Sequence, residues 1–307
     1  MGRQQRRGRD LHGILVFDKP AGITSNGALQ QLKRLFDARK AGHTGSLDQP
    51  ATGLLPICFG EATKLSGYLL DADKHYQARC RLGRVTTTGD AAGETLDEQM
   101  VPALSAGQIE AALARFRGPI MQTPPMHSAL KHQGKRLHEL ARAGIEVERA
   151  PRPVTIHVLT LNEQGDTYLD IEVRCSKGTY IRTLAEEIGA VLGCGAHVES
   201  LRRLGAGPFV VGQMHTIEEL QSLLETGGMA ALNATLLPLD SALQQWPALY
   251  LTASLVQFLL QGQAVVVPKA PTSGLVRLYD SHQHFFAVGE VLDDGRIGPK
   301  RLLNIRH

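Results

Sequence analysis

No apolar run in this 307-residue chain approaches the roughly 20 residues that a membrane-spanning helix needs, so no transmembrane helix is expected. The Arg-rich start, Met1 to Asp10, has no apolar stretch behind it. It therefore does not read as a secretory leader, and a cytoplasmic protein is expected. Cysteine is scarce: Cys58, Cys80, Cys175 and Cys194, no two within four residues of each other. That spacing excludes a zinc-type pair and argues against a disulfide framework, leaving buried reduced thiols. Nucleotide signatures are missing too. There is no phosphate-binding loop, and the lone Gly205-Ala206-Gly207 is too short to count as a dinucleotide fingerprint. His282 and His284 stand without further ligands and read as a wet turn. No metal and no cofactor is expected.

Apolar residues make up 43% of the chain and charged residues 21%, the composition of an ordinary globular protein with one or two domains. The net charge of +3 is uninformative, but its distribution is not. The first nine residues carry Arg3, Arg6, Arg7 and Arg9 and no acid. Between Arg115 and Arg152 there are eight Lys/Arg against three Glu, whereas Glu218 to Asp240 is acidic. Basic charge gathered in two places suits a phosphate backbone, although a solvated face gives the same pattern.

Residues 11–17 read as a buried strand, and Thr24-Ser25 offers an N-cap to a helix through Leu29, Leu32 and Phe36. Four glycines and two prolines between Gly42 and Gly60 argue for a long ordered loop. Residues 76–82 alternate, with Tyr76, Ala78, Cys80 and Leu82 on one face. A helix begins at Ser105 in capping-box fashion with Gln108 and is expected to stop at Gly118-Pro119. Residues 120–152 lack apolar periodicity and read as a basic insertion. A strand at 169–175 and a helix through Leu184, Ile188 and Leu192 to Gly193 follow. After Trp246-Pro247 the rhythm becomes that of a small β-rich unit: a helix near 251–260, then apolar runs at 274–279, 285–292 and 301–305. A boundary is expected near residue 245, dividing the chain into 1–245 and 246–307.

An Asp in a Gly/Pro-rich loop is ordinarily a turn former, and spacing alone leaves Asp48 as one. The surrounding residues say more. Gly42 to Lys64, GHTGSLDQPATGLLPICFGEATK, resembles the catalytic motif GHTGTLDPxAxGxLxxxxGxATK of the TruB-type pseudouridine synthases. Asp18-Lys19-Pro20, Lys74 to Tyr76, Pro124-Pro125 through Ala141-Arg142, Ser176 to Arg182 and Leu201-Arg202-Arg203 are similar to further motifs of that family, in the same order. Three positions depart from the pattern. Gln49 stands where proline is common, and His127 and His138 stand where tyrosine is usual.

The resemblance implies an α+β catalytic domain with a central mixed, largely antiparallel sheet flanked by helices, plus a small PUA-like RNA-binding domain at the C-terminus. It implies isomerisation of a T-loop uridine of tRNA (U55) to pseudouridine without a cofactor. Asp48 is then the catalytic carboxylate and Arg182 its bidentate partner, since a guanidinium fork matches a carboxylate. Tyr76, Tyr180 and Leu201 are expected to line the pocket of the flipped base, His43 to meet the RNA and Lys19 to support the pocket. Lys131, Lys135, Arg136 and Arg142 are expected to neutralise phosphates. The expected partner is the T-arm of tRNA, with no membrane, no obligate protein partner and a monomeric state. A guide-dependent relative is the rival enzyme reading, and the basic insertion counts against it. From another class, the chain is read as a tRNA-binding folding helper in which catalysis is secondary.

Overall fold

The first strand of the computed structural model, which describes residues 8–304, is β1 (Gly13–Lys19). Arg3, Arg6 and Arg7 of the basic start lie outside the described residues. Arg9 lies inside them, and its guanidinium donates to the Phe36 carbonyl and the Asn233 side chain. β1 runs past the expected stop at Phe17 because its ladder with the next long strand continues to a Lys19–Gly53 pair before Pro20 ends it. Both faces of β1 are covered. Leu15 and Phe17 pack with the first helix, while Ile14 and Val16 pack with the C-terminal unit. That is why the strand is apolar throughout rather than alternating.

Helix α1 (Ser25–Leu35) starts as expected: the Thr24 hydroxyl accepts the Gly27 amide at 3.0 Å, and Ala28, Leu29 and Leu32 face inward. The expected long loop from Gly42 to Gly60 is only partly a loop. Its start lies in β2 (Ala41–His43) and its second half is the buried strand β3 (Thr52–Phe59). Pro56 falls between the stretch of β3 that pairs β12 (Ala196–Ala206; Thr52 and Gly53) and the stretch that pairs β2 (Ile57 to Phe59). On that side its nitrogen misses no partner strand, so proline does not break the strand there.

Between those points the chain forms α2 (Ser66–Leu70), β4 (Lys74–Leu82) and a ribbon of β5 (Arg84–Thr86) with β6 (Thr95–Glu98). Helix α3 (Ala106–Ala114) has the expected Ser105–Gln108 capping box but ends before Gly118-Pro119. Those two residues instead open β7 (Gly118–Gln122), an edge strand, where proline is tolerated. The insertion therefore begins after Gln122. It holds a hairpin of β8 (Lys131–His132) and β9 (Lys135–Arg136) and helix α4 (Leu137–Arg142), anchored by buried Leu137 and Leu140. β10 (Arg152–Gln164), β11 (Tyr168–Cys175) and α5 (Ile181–Leu192) follow. Gly193 at φ 79° caps α5 in the left-handed conformation that glycine accommodates. β13 (Phe209–Val210) and α6 (Ile217–Asn233) complete the first unit.

The central sheet runs β1-β3-β12-β4-β11-β10-β7, with β2 beside β3 and β13 beside β12. Only the β3–β12 pair is parallel, so the sheet is mixed and largely antiparallel, as expected. Helices α3 and α5 cover the face built from β4, β11 and β12. The C-terminal unit has its own sheet of β14 (Ala248–Tyr250), β15 (Leu275–Tyr279), β16 (Phe285–Val291) and β17 (Ile297–Leu302), with α7 (Ala253–Leu260) against it. Its last strand starts at Ile297, not Arg301, because Ile297 is fully buried and pairs with Val291.

Candidate active site

Asp48 lies in the turn between β2 and β3, and that turn is tied down by main-chain contacts on both sides. The Ser25 hydroxyl accepts the Leu47 amide at 2.8 Å and donates to the Leu47 carbonyl at 3.0 Å, so one buried side chain satisfies both polar groups of the preceding residue. Lys19, fully buried, donates to the carbonyls of Pro20, Ile23 and Gln49 at 2.9, 2.8 and 3.3 Å. Burial lowers its pKa to about 8; the charge of Asp48 opposes that shift and the charge of Arg203 adds to it. Gln49, where the motif usually has proline, donates from its amide to the Gly22 carbonyl while its own carbonyl accepts the Gly22 amide, both at 2.9 Å. The departure thus adds a bond that proline cannot make.

Arg182 meets Asp48 as expected, but not with a fork. Its Nε lies 3.0 Å from Asp48 Oδ2; the arginine side chain is 7% exposed and the aspartate 46%. The remaining nitrogens are used elsewhere. Nη1 donates to the Thr88 carbonyl at 2.8 Å and lies 3.8 Å from Asp90 Oδ2, and Nη2 donates to the His127 carbonyl at 2.7 Å. One guanidinium thus joins the Asp48 turn, the loop after β5 and the root of the insertion. A cation in the first turn of α5 gains nothing from the helix dipole, so this contact set accounts for its position.

The other candidate residues gather around this pair. Tyr76 on β4 and Tyr180 at the N-cap of α5 are half-buried. Burial raises both phenol pKa values, and the charge of Asp48 adds to each rise. Leu201 on β12 stands opposite Ala78, on the face of the sheet that Tyr76 shares. His43 on β2 is half-buried with Nδ1 unpartnered, and burial followed by the charge of Arg203 lowers its pKa. The four insertion cations, Lys131, Lys135, Arg136 and Arg142, are exposed and form no ion pair among the described residues.

Three contributors went unassigned in the sequence. Arg203, 1% exposed, donates to the Leu54 carbonyl at 2.6 Å and the Gly45 carbonyl at 3.1 Å, and its charge opposes the rise in the Tyr76 pKa. Asp90 is anchored by the Thr88 hydroxyl and the Ala92 amide. Ser25 clamps Leu47. Arg203 sits inside a recognised motif and Ser25 at an expected N-cap, but neither signal says that a side chain serves the backbone. Asp90, in a Thr- and Gly-rich turn, reads only as a turn residue.

Family models match along the chain. The TruB family pseudouridylate synthase N-terminal domain covers residues 33–181, the tRNA pseudouridylate synthase B C-terminal domain residues 182–244, and the pseudouridine synthase II TruB C-terminal domain residues 247–303. A tRNA pseudouridine synthase B of Nitrosococcus oceani is 57% identical over 303 residues, covering 98% of each chain. The chain belongs to the TruB family. Proteins of the same name from Pseudomonas putida and Coxiella burnetii are 53% and 51% identical, over 99% and 97% of this chain and 99% and 96% of their own lengths. In three dimensions, this TruB-family chain shares its fold with a chain in each of two solved assemblies. For an H/ACA ribonucleoprotein bound to substrate RNA the TM-score is 0.74 at 21% identity, covering 99% of this chain and 92% of that one. For a Cbf5–Nop10–Gar1 complex it is 0.73 at 24%, covering 96% and 84%.

Proposed function

We propose that the chain binds the T-arm of tRNA, turns the target uridine (U55) out of its stack and isomerises it to pseudouridine, with Asp48 as the catalytic carboxylate. The observation that carries this reading is the setting of Asp48: one side is paired with a buried guanidinium, the other is half open beside two half-buried tyrosines. The reaction breaks an N-glycosidic bond, rotates the freed uracil and rejoins it through carbon. Attack on the sugar, addition to the ring and removal of the C2′ proton all require one fixed carboxylate beside the ribose. Arg182 orients it, Tyr76 stacks on the extruded base, and Tyr180 and Leu201 complete the pocket. Flipping costs a few kcal/mol, which a flat apolar wall offsets. Lys19 and Arg203 hold the turn, and His43 faces the RNA.

In this reading the insertion grips the phosphate backbone with Lys131, Lys135, Arg136 and Arg142. The hairpin supports it: Lys131 stands directly across from Arg136, a like-charge pair that destabilises a ribbon unless an anion lies over it. We place the domain division near residue 245, with 246–307 as a PUA-like RNA-binding unit; its own sheet and its own apolar cluster support this. The protein acts in the cytoplasm, as a monomer and without an obligate protein partner.

The test is Asp48→Asn against an unmodified T-arm stem-loop, with mapping of pseudouridine. Turnover should cease while RNA affinity stays within about tenfold, a difference of ~1.4 kcal/mol. Substantial product from Asp48→Asn would overturn the mechanism. Loss of binding would shift the reading toward a folding helper in which Asp48 holds RNA.

A further inference from the structure

The root of the insertion carries a titratable group that the chemistry does not use. His127 touches the catalytic network through its carbonyl, which accepts from Arg182 at 2.7 Å. Only one guanidinium therefore separates this residue from Asp48. Its imidazole is half-buried and faces Arg182 on α5, Asp90 in the loop after β5, and His138 and Arg142 on α4. His138 is held from the same loop: its amide and its Nδ1 both donate to the Ser128 carbonyl, at 3.1 and 3.0 Å. The motif that this segment resembles has tyrosine at both positions, and a phenol with a pKa near ~10 carries no charge between pH 6 and 8. Histidine can.

We propose that His127 is a backbone contact for the RNA that takes up a proton from solvent when the phosphates settle over the root of the insertion. The argument is a charge count at one place. Three of the four groups facing the imidazole are cationic or can become so, and only Asp90 opposes them. Arg182 is already matched by Asp48 and Asp90, whereas Arg142 has no ion pair among the described residues. In the free protein a further positive charge here is repelled and poorly hydrated. Burial and then the charge of Arg182 accordingly lower the imidazole pKa. A target nucleotide within reach of Asp48 brings its flanking phosphates to this root. An anion above Arg142 and His127 reverses the local balance, and binding and protonation then assist each other.

This inference rests on the insertion being the RNA grip, so the test separates the two. Binding of a T-arm stem-loop that already carries pseudouridine at the target position is followed by calorimetry in two buffers of different ionisation enthalpy. About half a proton should enter per RNA near pH 7, and affinity should rise about three- to tenfold from pH 8 to pH 6. In His127→Gln the proton and the pH dependence should both vanish. His127→Lys should bind at pH 8 about as tightly as wild type does at pH 6. No proton uptake by the wild type, or equal uptake by wild type and His127→Gln, would overturn the inference. The salt slope of a variant neutralised at Lys131, Lys135 and Arg136 decides the underlying reading separately. A flattened slope without proton uptake rejects only the role of His127; an unchanged slope rejects the grip itself.

Discussion

Arg182→Lys keeps the charge at the centre of the site and removes its shape. The guanidinium reaches four acceptors from three nitrogens: Asp48 and the carbonyls of Thr88 and His127 within 3.0 Å, and Asp90 at 3.8 Å. An ammonium has one nitrogen, so at most one or two of these contacts survive. Each lost hydrogen bond from a charged donor to a carbonyl is worth about 1.5–3 kcal/mol, and the stranded acceptors are poorly hydrated. Partial replacement by the ammonium leaves an expected loss of roughly 3 kcal/mol, or about 5 °C in Tm for a protein of this size. The effect on turnover should be larger in proportion. Asp48, released from Nε, moves within a half-exposed turn, and a misplacement of ~1 Å costs about a hundredfold in rate. We expect kcat to fall by about 10²-fold or more and Kd for the T-arm to change by less than tenfold. The assays are single-turnover pseudouridine formation at saturating RNA and a thermal melt. A variant with wild-type kcat and Tm would show that the contact set is decoration.

Three further perturbations follow from the same geometry. Neutralising Lys131, Lys135 and Arg136 together should flatten the slope of log K against log salt by roughly two units and leave the melt within about 0.5 kcal/mol per site. A collapse in Tm would instead make the hairpin part of the core. Lys19 titrates near 8 when folded and at 10.5 when unfolded, so the unfolded chain holds more protons in that window. The Tm of wild type relative to Lys19→Met should therefore rise from pH 8 toward 10, and a flat difference would mean that Lys19 is not buried as a cation. Gly53 has φ +98°, and a Cβ there would lie 2.3 Å from the Arg203 carbonyl, so Gly53→Ala should cost about 2 kcal/mol or more in a denaturant melt.

What the sequence made legible was whatever repeats along the chain. The caps at Thr24, Ser105 and Gly193 and the alternation of β4 and β11 are local signals, and the structure has them all. The misreadings share one cause. β3 passed for loop because glycine and proline mark turns only when no neighbouring strand fills the gaps around them, and β1, β2 and β12 do so here. Gly118-Pro119 passed for a helix stop because an edge strand tolerates the same pair. At the site, the carboxylate and its arginine were legible through the motif, but the way they meet was not. A sequence shows that two groups can pair, whereas the third and fourth partners of Arg182 come from Thr88 and His127 as carbonyls, which every residue has.

The motif around Asp48 is long because several of its residues, and others outside it, hold a single carboxylate in place. The turn around Asp48 has no secondary structure of its own to fix it, and a catalytic group needs positioning to a fraction of an ångström. The chain meets this need with cations and a hydroxyl aimed at main-chain oxygens: Ser25 at Leu47, Lys19 at Gln49, Arg203 at Gly45 and Leu54. Each donor sits on a buried strand or helix of the central fold, so the turn inherits the rigidity of β1, α1 and β12. Because the acceptors are backbone atoms, the residues in the turn can vary wherever their side chains are not needed, as Gln49 does. The donors cannot vary in that way, since shortening any one of them leaves a carbonyl that is at least partly buried without its donor. Substitutions at Ser25, Lys19 and Arg203 should therefore lower kcat by loosening Asp48 without touching the RNA, and their effects should combine less than additively, because they constrain one short turn.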